Sequence, residues 1–273
     1  VKWAEVNQLI RSKIRVELSE MEMTWTVKEI ALHLTGLPQS RAMIEDLEID
    51  EVALEQITDR LNGNEPLPYV IEAVDFYGLR FRIDSRALIP RPETEELVQW
   101  VLEDHPTGGR LLDIGTGSGC IAISLSKNGN WEEVVGLDVS KEALDLARMN
   151  QELHQAEVTW LDQPIESEPS GTWDVIVSNP PYVLRSDQSE MEERVLNNEP
   201  HLALFVDDED PCYFYRVISH YAKDHLKQGG FIYLEIHESL AEETMHVFKR
   251  DGWTEIELRK DMNLKPRMLK VSK

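Results

Sequence analysis

Apolar residues recur at helical spacing through the first quarter of the chain, and then the period changes. Val6, Ile10, Ile14 and Leu18 fall on one face, and Thr26 precedes a second stripe of Val27, Ile30, Ala31 and Leu34 that Gly36-Leu37-Pro38 ends. Ser40 is placed to cap a short segment through Leu47. Asp50 is placed to cap a helix carrying Val52, Leu54, Ile57 and Leu61, closed by Asn62-Gly63-Asn64. The spacing predicts a helical bundle over 1–72 whose stripes are core. From Val70 the pattern alternates: Phe81 and Ile83 interleave with Arg80, Arg82 and Asp84 after Tyr77-Gly78. This predicts a β-hairpin in a connector spanning 73–88.

Residues 89–273 read as a second domain. Pro90-Arg91-Pro92 with Glu93, Glu95 and Glu96 opens a helix, its acidic first turn favoured by the helix dipole. Seven strands are expected at Arg110–Ile114, Val134–Asp138, Val158–Leu161, Val175–Ser178, Phe231–Ile236, Thr254–Arg259 and Arg267–Val271. Helices intervene from about Gly119 through Ser126, from Ser140 to about Gln151, from Phe214 to Lys227 ended by Gly229-Gly230, and from Ser239 to Phe248. This order predicts an α/β fold with a mostly parallel sheet covered by helices.

Composition adds two constraints. The formal net charge of −23 disfavours unguided binding to a phosphate backbone and suits a partner with a basic face. The two cysteines, Cys120 and Cys212, lack metal-ligand spacing, so neither a zinc site nor a disulfide framework is expected. A cytoplasmic monomer with no membrane segment and no stable nucleic acid partner is the expected setting.

Two loops carry the chemistry. Leu111-Leu112-Asp113-Ile114 is a buried strand running into Gly115-Thr116-Gly117-Ser118-Gly119, and Asp138 with Val139 ends the next strand. Glycines permit close backbone approach to a cofactor, and a strand-terminal acid can hold a ribose diol. The loop has no phosphate-gripping lysine, and its G-x-G-x-G spacing is not that of common dinucleotide sites. Asp113 would repel a pyrophosphate but suit a cationic amino-acid moiety, which favours S-adenosylmethionine, with S-adenosylhomocysteine as product. Asp162 or Gln163 is positioned to meet the adenine edge. The second loop, Asn179-Pro180-Pro181-Tyr182, follows Val175-Ile176-Val177-Ser178. Two prolines stiffen it and remove backbone donors. It presents a carboxamide, bare carbonyls and a ring, which can accept and cover a planar –NH2 group.

These motifs in this order resemble the class I S-adenosylmethionine-dependent methyltransferases that modify nitrogen. Phe76-Tyr77-Gly78-Leu79, Leu88-Ile89-Pro90-Arg91-Pro92-Glu93-Thr94-Glu95, Glu199-Pro200, Ala203-Leu204, Lys260-Asp261 and Arg267 extend the likeness to nearly the whole chain. Within that group the chain resembles the HemK-type protein-(glutamine-N5) methyltransferases. The resemblance implies a Rossmann-like seven-stranded catalytic domain and a helical N-terminal domain that recognises a peptide chain release factor. It implies as substrate the glutamine of the factor's Gly-Gly-Gln motif. Asn179, Pro180 and Tyr182 are the expected catalytic residues, and Asn179 is expected at the cofactor too. Pro181, Arg91 and Glu93 are expected on the substrate side. Departures from the family pattern are Phe205-Val206-Asp207-Asp208-Glu209-Asp210-Pro211, His237 and Gln163. Methylation of a ribosomal-protein glutamine, or of adenine N6 in nucleic acid, is the alternative; the acidic chain argues against the latter.

Overall fold

The computed structural model describes residues 1–105 and 108–272. The chain divides into two units, Val1–Ala73 with Glu192–Asn198, and Val74–Met191 with Glu199–Lys273.

The first unit contains α1 (Trp3–Lys13), α2 (Glu20–Thr35), α3 (Gln39–Ala42), α4 (Glu51–Asn62) and α5 (Leu67–Val70). Val6, Ile10, Val27, Ile30, Leu54 and Leu61 meet in its core. Asp50 caps α4 as expected, its Oδ1 accepting from the N–H of Val52 at 2.9 Å and of Ala53 at 3.1 Å. Three boundaries differ. The backbone turns extended at Ile14, leaving Leu18 outside α1. The helix α2 starts six residues before Thr26, because Ser19 and Glu22 form a reciprocal capping box. Pro38, not Ser40, occupies the N-cap of α3, which ends at Ala42.

The second unit begins with the hairpin β1 (Ala73–Phe76) and β2 (Leu79–Arg82). Its two turn residues, Tyr77 and Gly78, both have positive φ, of 47° and 73°, which suits the twist of a two-residue hairpin. There follow α6 (Pro92–Asp104), β3 (Arg110–Ile114), α7 (Cys120–Asn128), β4 (Glu133–Asp138), α8 (Lys141–His154), β5 (Thr159–Asp162), β6 (Trp173–Ser178) and β7 (Val183–Leu184). The chain then gives α9 (Glu193–Asn198), which groups with the first unit through Asn198 and the Asn64 carbonyl. It returns with α10 (His201–Leu204), β8 (Phe205–Val206), α11 (Tyr213–His225), β9 (Leu226–Glu235), α12 (Ala241–Arg250), β10 (Glu255–Lys260) and β11 (Pro266–Ser272).

The seven expected strands form one sheet in the order β10-β11-β9-β6-β3-β4-β5. Five run parallel, and β11 is antiparallel to both β9 and β10. Alternate residues of each strand feed two cores. Leu111, Val134, Val175, Val177 and Tyr233 pack with α6 and α7, whereas Leu112, Val135, Ile176, Ile232 and Leu234 pack with α11 and α12. Gly229-Gly230 does not end a helix. The helix α11 stops at His225, and both glycines lie within β9, where a Cβ on Gly230 would stand 2.9 Å from the carbonyls of Asp174 and Lys227. Likewise Ser239 sits in a 3-10 turn ahead of α12. The pair β7 and β8 was not anticipated. No helix among the described residues is long and apolar enough to cross a membrane.

This topology positions the site. The chain runs outward from β3 through β4 to β5, then returns to place β6 on the other flank of β3. Open α/β sheets bind ligands at the carboxyl ends of strands beside such a reversal. The loops after β3 and β6 are the two chemical motifs.

Candidate active site

The loop after β3 is held from below and from its side. Asp113, fully buried in β3, accepts at Oδ2 from the Thr116 hydroxyl at 2.6 Å and from Ala122 N–H at 3.2 Å. Burial pushes its carboxyl up to about 7 against the pull of those donors. The backbone N–H groups of Gly115 and Thr116 bond the Leu137 carbonyl at 2.8 and 3.0 Å, pinning the loop to β4. Asp138, at the end of β4, accepts from Gly117 N–H at 2.8 Å and from Ser140 N–H at 2.9 Å. Each of its oxygens keeps a lone pair for a further donor. Burial raises its pKa despite these donors.

A cavity of about 340 Å³ opens above this loop, lined by Gly115, Thr116, Gly117, Ser118, Asp138, Val139, Asn179, Pro180, Pro181 and Arg91 among others. Gly115 and Gly117 have φ of 72° and 55°. A Cβ at Gly115 would meet nothing within 4 Å, and one at Gly117 only Ala87 at 3.9 Å, so bare backbone forms the cavity floor. Ala87, Leu88, Ile165 and Phe214 add apolar wall. An apolar slot with a glycine floor and a fixed carboxylate fits a nucleoside bearing an amino-acid tail.

Six residues expected at the site do not line the cavity. Asp113 lies beneath the loop and engages Thr116, so it shapes the floor. Gly119 caps α7, and a Cβ there would come within 2.8 Å of the Trp160 ring, so the glycine serves packing. Asp162 pairs with Lys141 at 3.6 Å, and Gln163 contributes a backbone N–H to the Asp138 carbonyl at 3.2 Å. At their level the wall is Pro164, Ile165 and Glu166. Glu93 gives way to its neighbour Thr94 in the lining. Tyr182 turns its hydroxyl to Glu235 Oε1 at 2.9 Å. Burial and that carboxylate hold the phenol protonated, its pKa far above the ordinary value.

The loop after β6 meets the first across the reversal. The Ser178 hydroxyl donates to the Ile114 carbonyl at 2.7 Å, tying the ends of β6 and β3 together. Asn179 Nδ2 stands 3.3 Å from Thr94 Oγ1. Thr94 in turn donates to Glu235 Oε2 at 2.6 Å. Arg91 is held by the buried Glu199 at 2.7 Å, which also accepts from Ile89 N–H at 3.3 Å.

Residues 93–203 match the methyltransferase small domain. The chain is 44% identical over 223 residues to the release factor glutamine methyltransferase of Bacteroides thetaiotaomicron, covering 81% of this chain and 80% of that one. It is 38% identical over 256 residues to the release factor glutamine methyltransferase of Lactococcus lactis subsp. lactis, covering 92% and 93%. This chain belongs to the release factor glutamine methyltransferase family. Among solved structures, a methyltransferase from Pyrococcus furiosus superposes with a TM-score of 0.55 at 22% identity, covering 78% of this chain and 95% of that one. That likeness concerns the fold, which is the Rossmann-like methyltransferase architecture.

In this family member the sequence reading placed the two loops but passed over Thr94, Glu199 and Glu235 as functional groups. Glu235 carried one signal: a charge within an apolar run that a packed fold buries only when it is paired. Glu235 interrupts Phe231–Ile236 in that way.

Proposed function

We propose that this chain transfers a methyl group from S-adenosylmethionine to the side-chain amide nitrogen of the glutamine in the Gly-Gly-Gln motif of peptide chain release factors. The observation that carries this reading is the meeting of the glycine-floored cavity with Asn179-Pro180-Pro181 at one end of the sheet. Gly115, Gly117 and Asp138 are the groups that would hold the cofactor's nucleoside and tail, with Ile165 and Val139 against the base. Bound there, S-adenosylmethionine supplies an electrophilic methyl group on a sulfonium.

A glutamine amide nitrogen is a weak nucleophile because its lone pair is shared with the carbonyl. Positive charge builds on that nitrogen in the transition state. Asn179 Oδ1 and the Pro180 carbonyl oxygen accept its N–H groups, and such bonds strengthen as the charge develops. The stiff Pro180-Pro181 backbone fixes the direction of these acceptors, which lowers the entropic part of the barrier. Tyr182 stands behind this wall with its hydroxyl anchored on Glu235. Among the described residues no histidine lines the cavity, and burial pushes the Cys120 thiol up to about 12, so it is no base at neutral pH. The proton leaves after transfer, when the alkylated amide has become strongly acidic.

The first unit is assigned to recognition of the factor. It contributes nothing to the cavity lining, and Met21, Trp25, Met43, Ile44 and Val52 stand exposed on it. In the test, Asn179→Ala is assayed beside the wild type with a purified release factor. Methyl transfer falls by roughly 10²-fold or more, the loss expected for an oriented polar group at developing charge, while labelled S-adenosylmethionine still binds. Equal survival of binding and turnover would remove Asn179 from the mechanism.

A further inference from the structure

The oxygen and the –NH2 of an asparagine side chain's flat amide occupy nearly the same shape, so only the hydrogen-bond network decides which end faces a ligand. For Asn179 that decision matters. With Oδ1 toward the substrate, the side chain accepts from a glutamine –NH2. Turned over, it would set donor against donor.

The neighbouring groups fix the choice. Parallel pairing puts Ser178 of β6 opposite Leu234 of β9, so Asn179 and Glu235 emerge at the same level of the sheet. Glu235 is 1% exposed. Its Oε2 lies 2.6 Å from Thr94 Oγ1 and its Oε1 lies 2.9 Å from the Tyr182 hydroxyl. A carboxylate only accepts, so both hydroxyls give it their protons. Thr94 has a single proton. With that proton committed, its oxygen can offer only a lone pair to Asn179, 3.3 Å away. The amide must therefore turn Nδ2 to Thr94 and leave Oδ1 free. We infer that Glu235, acting through Thr94, is the positioning group that locks Asn179 as an acceptor and holds Tyr182 beside it.

The groups facing Glu235 bear on its charge. Burial raises its pKa, and Glu93 of α6 adds to that. The Thr94 and Tyr182 hydroxyls and Arg267 of β11 act the other way. Arg267 is itself anchored on buried Asp261 at 3.1 Å, so its charge is fixed near the site. A buried carboxylate with one donor on each oxygen and a cation nearby is a satisfied arrangement, and losing one partner disturbs the rest.

The inference rests on the reading that Asn179 accepts from a substrate amide, and the test separates the two. Thr94→Val keeps the shape and removes the relay, Thr94→Ser keeps the relay, and Glu235→Gln offers a single acceptor oxygen where two hydroxyls need one each. Turnover of a release factor and affinity for S-adenosylmethionine are measured for each. Thr94→Val is expected to lower kcat by roughly 10²-fold, the cost of a misplaced group at the reacting centre, with KM for the factor and cofactor affinity unchanged. Thr94→Ser keeps most of kcat, and Glu235→Gln falls in the direction of Thr94→Val. Adding Thr94→Val to Asn179→Ala produces no further loss, because residues acting as one unit are not additive. A wild type that leaves the factor unmethylated overturns the functional reading itself. Wild-type turnover with Thr94→Val at full kcat, Thr94→Ser as impaired as Thr94→Val, or additive losses in the double variant overturns this inference alone. Should Thr94→Val lose cofactor binding, Glu235→Gln with binding intact carries the same comparison, and full kcat in it overturns the inference.

Discussion

A single carboxylate in the middle of an apolar strand sets the shape of the cavity floor. Asp113 was expected to face a cationic ligand, yet its Oδ2 organises Thr116 and Ala122 while Oδ1 has no hydrogen-bond partner among the described residues. Its pKa rises from 3.8 to about 7 on folding. The folded state therefore binds more protons than the unfolded chain between those values. Stability from this group is fullest at acid pH and falls as pH rises toward 7. Asp113→Asn keeps an acceptor for Thr116 and Ala122 but has no charge to bury. Thermal melts without cofactor should show the variant gaining on the wild type between pH 4 and pH 8, by an amount on the order of a few kcal/mol. A constant gap across that range would show Asp113 to be ionised throughout. The apolar run of β3 identified a buried strand but could not say which way its one acid pointed. Thr94 and Glu235 were harder still, being 141 residues apart in sequence and joined only by the closed sheet.

Elements were legible where periodicity and end signals agreed. Asp50 stood directly before its apolar stripe, and it caps α4. Asp50→Ala should cost about 1 kcal/mol in chemical denaturation followed on the first unit. The inner parallel strands β3, β4, β6 and β9 were readable because parallel strands buried on both faces are continuous apolar runs. Ends were misjudged where a tertiary contact outweighed a local signal. Gly229-Gly230 reads as a helix stop, yet these residues let β9 pass close to Asp174. Gly136 holds a comparable place in β4: a Cβ there would meet the Trp160 ring at 2.4 Å and Thr116 Oγ1 at 3.0 Å. Gly136→Ala should destabilise by about 1–3 kcal/mol through overpacking and weaken S-adenosylmethionine binding through the displaced Thr116. Paired denaturation and binding measurements check both; a stable variant with wild-type affinity would mean that Trp160 moves aside freely.

The whole molecule carries a net charge of −23, which bears on its choice of partner more than any one side chain does. The Asn179 loop suits any planar amino nitrogen, adenine or glutamine, and family membership with the acidic surface selects the protein. Duplex DNA added to the methylation assay should neither compete nor inhibit, since a phosphate backbone gains nothing from this surface. Strong inhibition by DNA would reveal a basic track that the overall charge conceals. The account is tested most directly by mapping the methyl group after incubation with labelled S-adenosylmethionine, a release factor and duplex DNA in one mixture. It predicts label on the side-chain amide nitrogen of the Gly-Gly-Gln glutamine. Label on adenine, or on another residue of the factor, would contradict it.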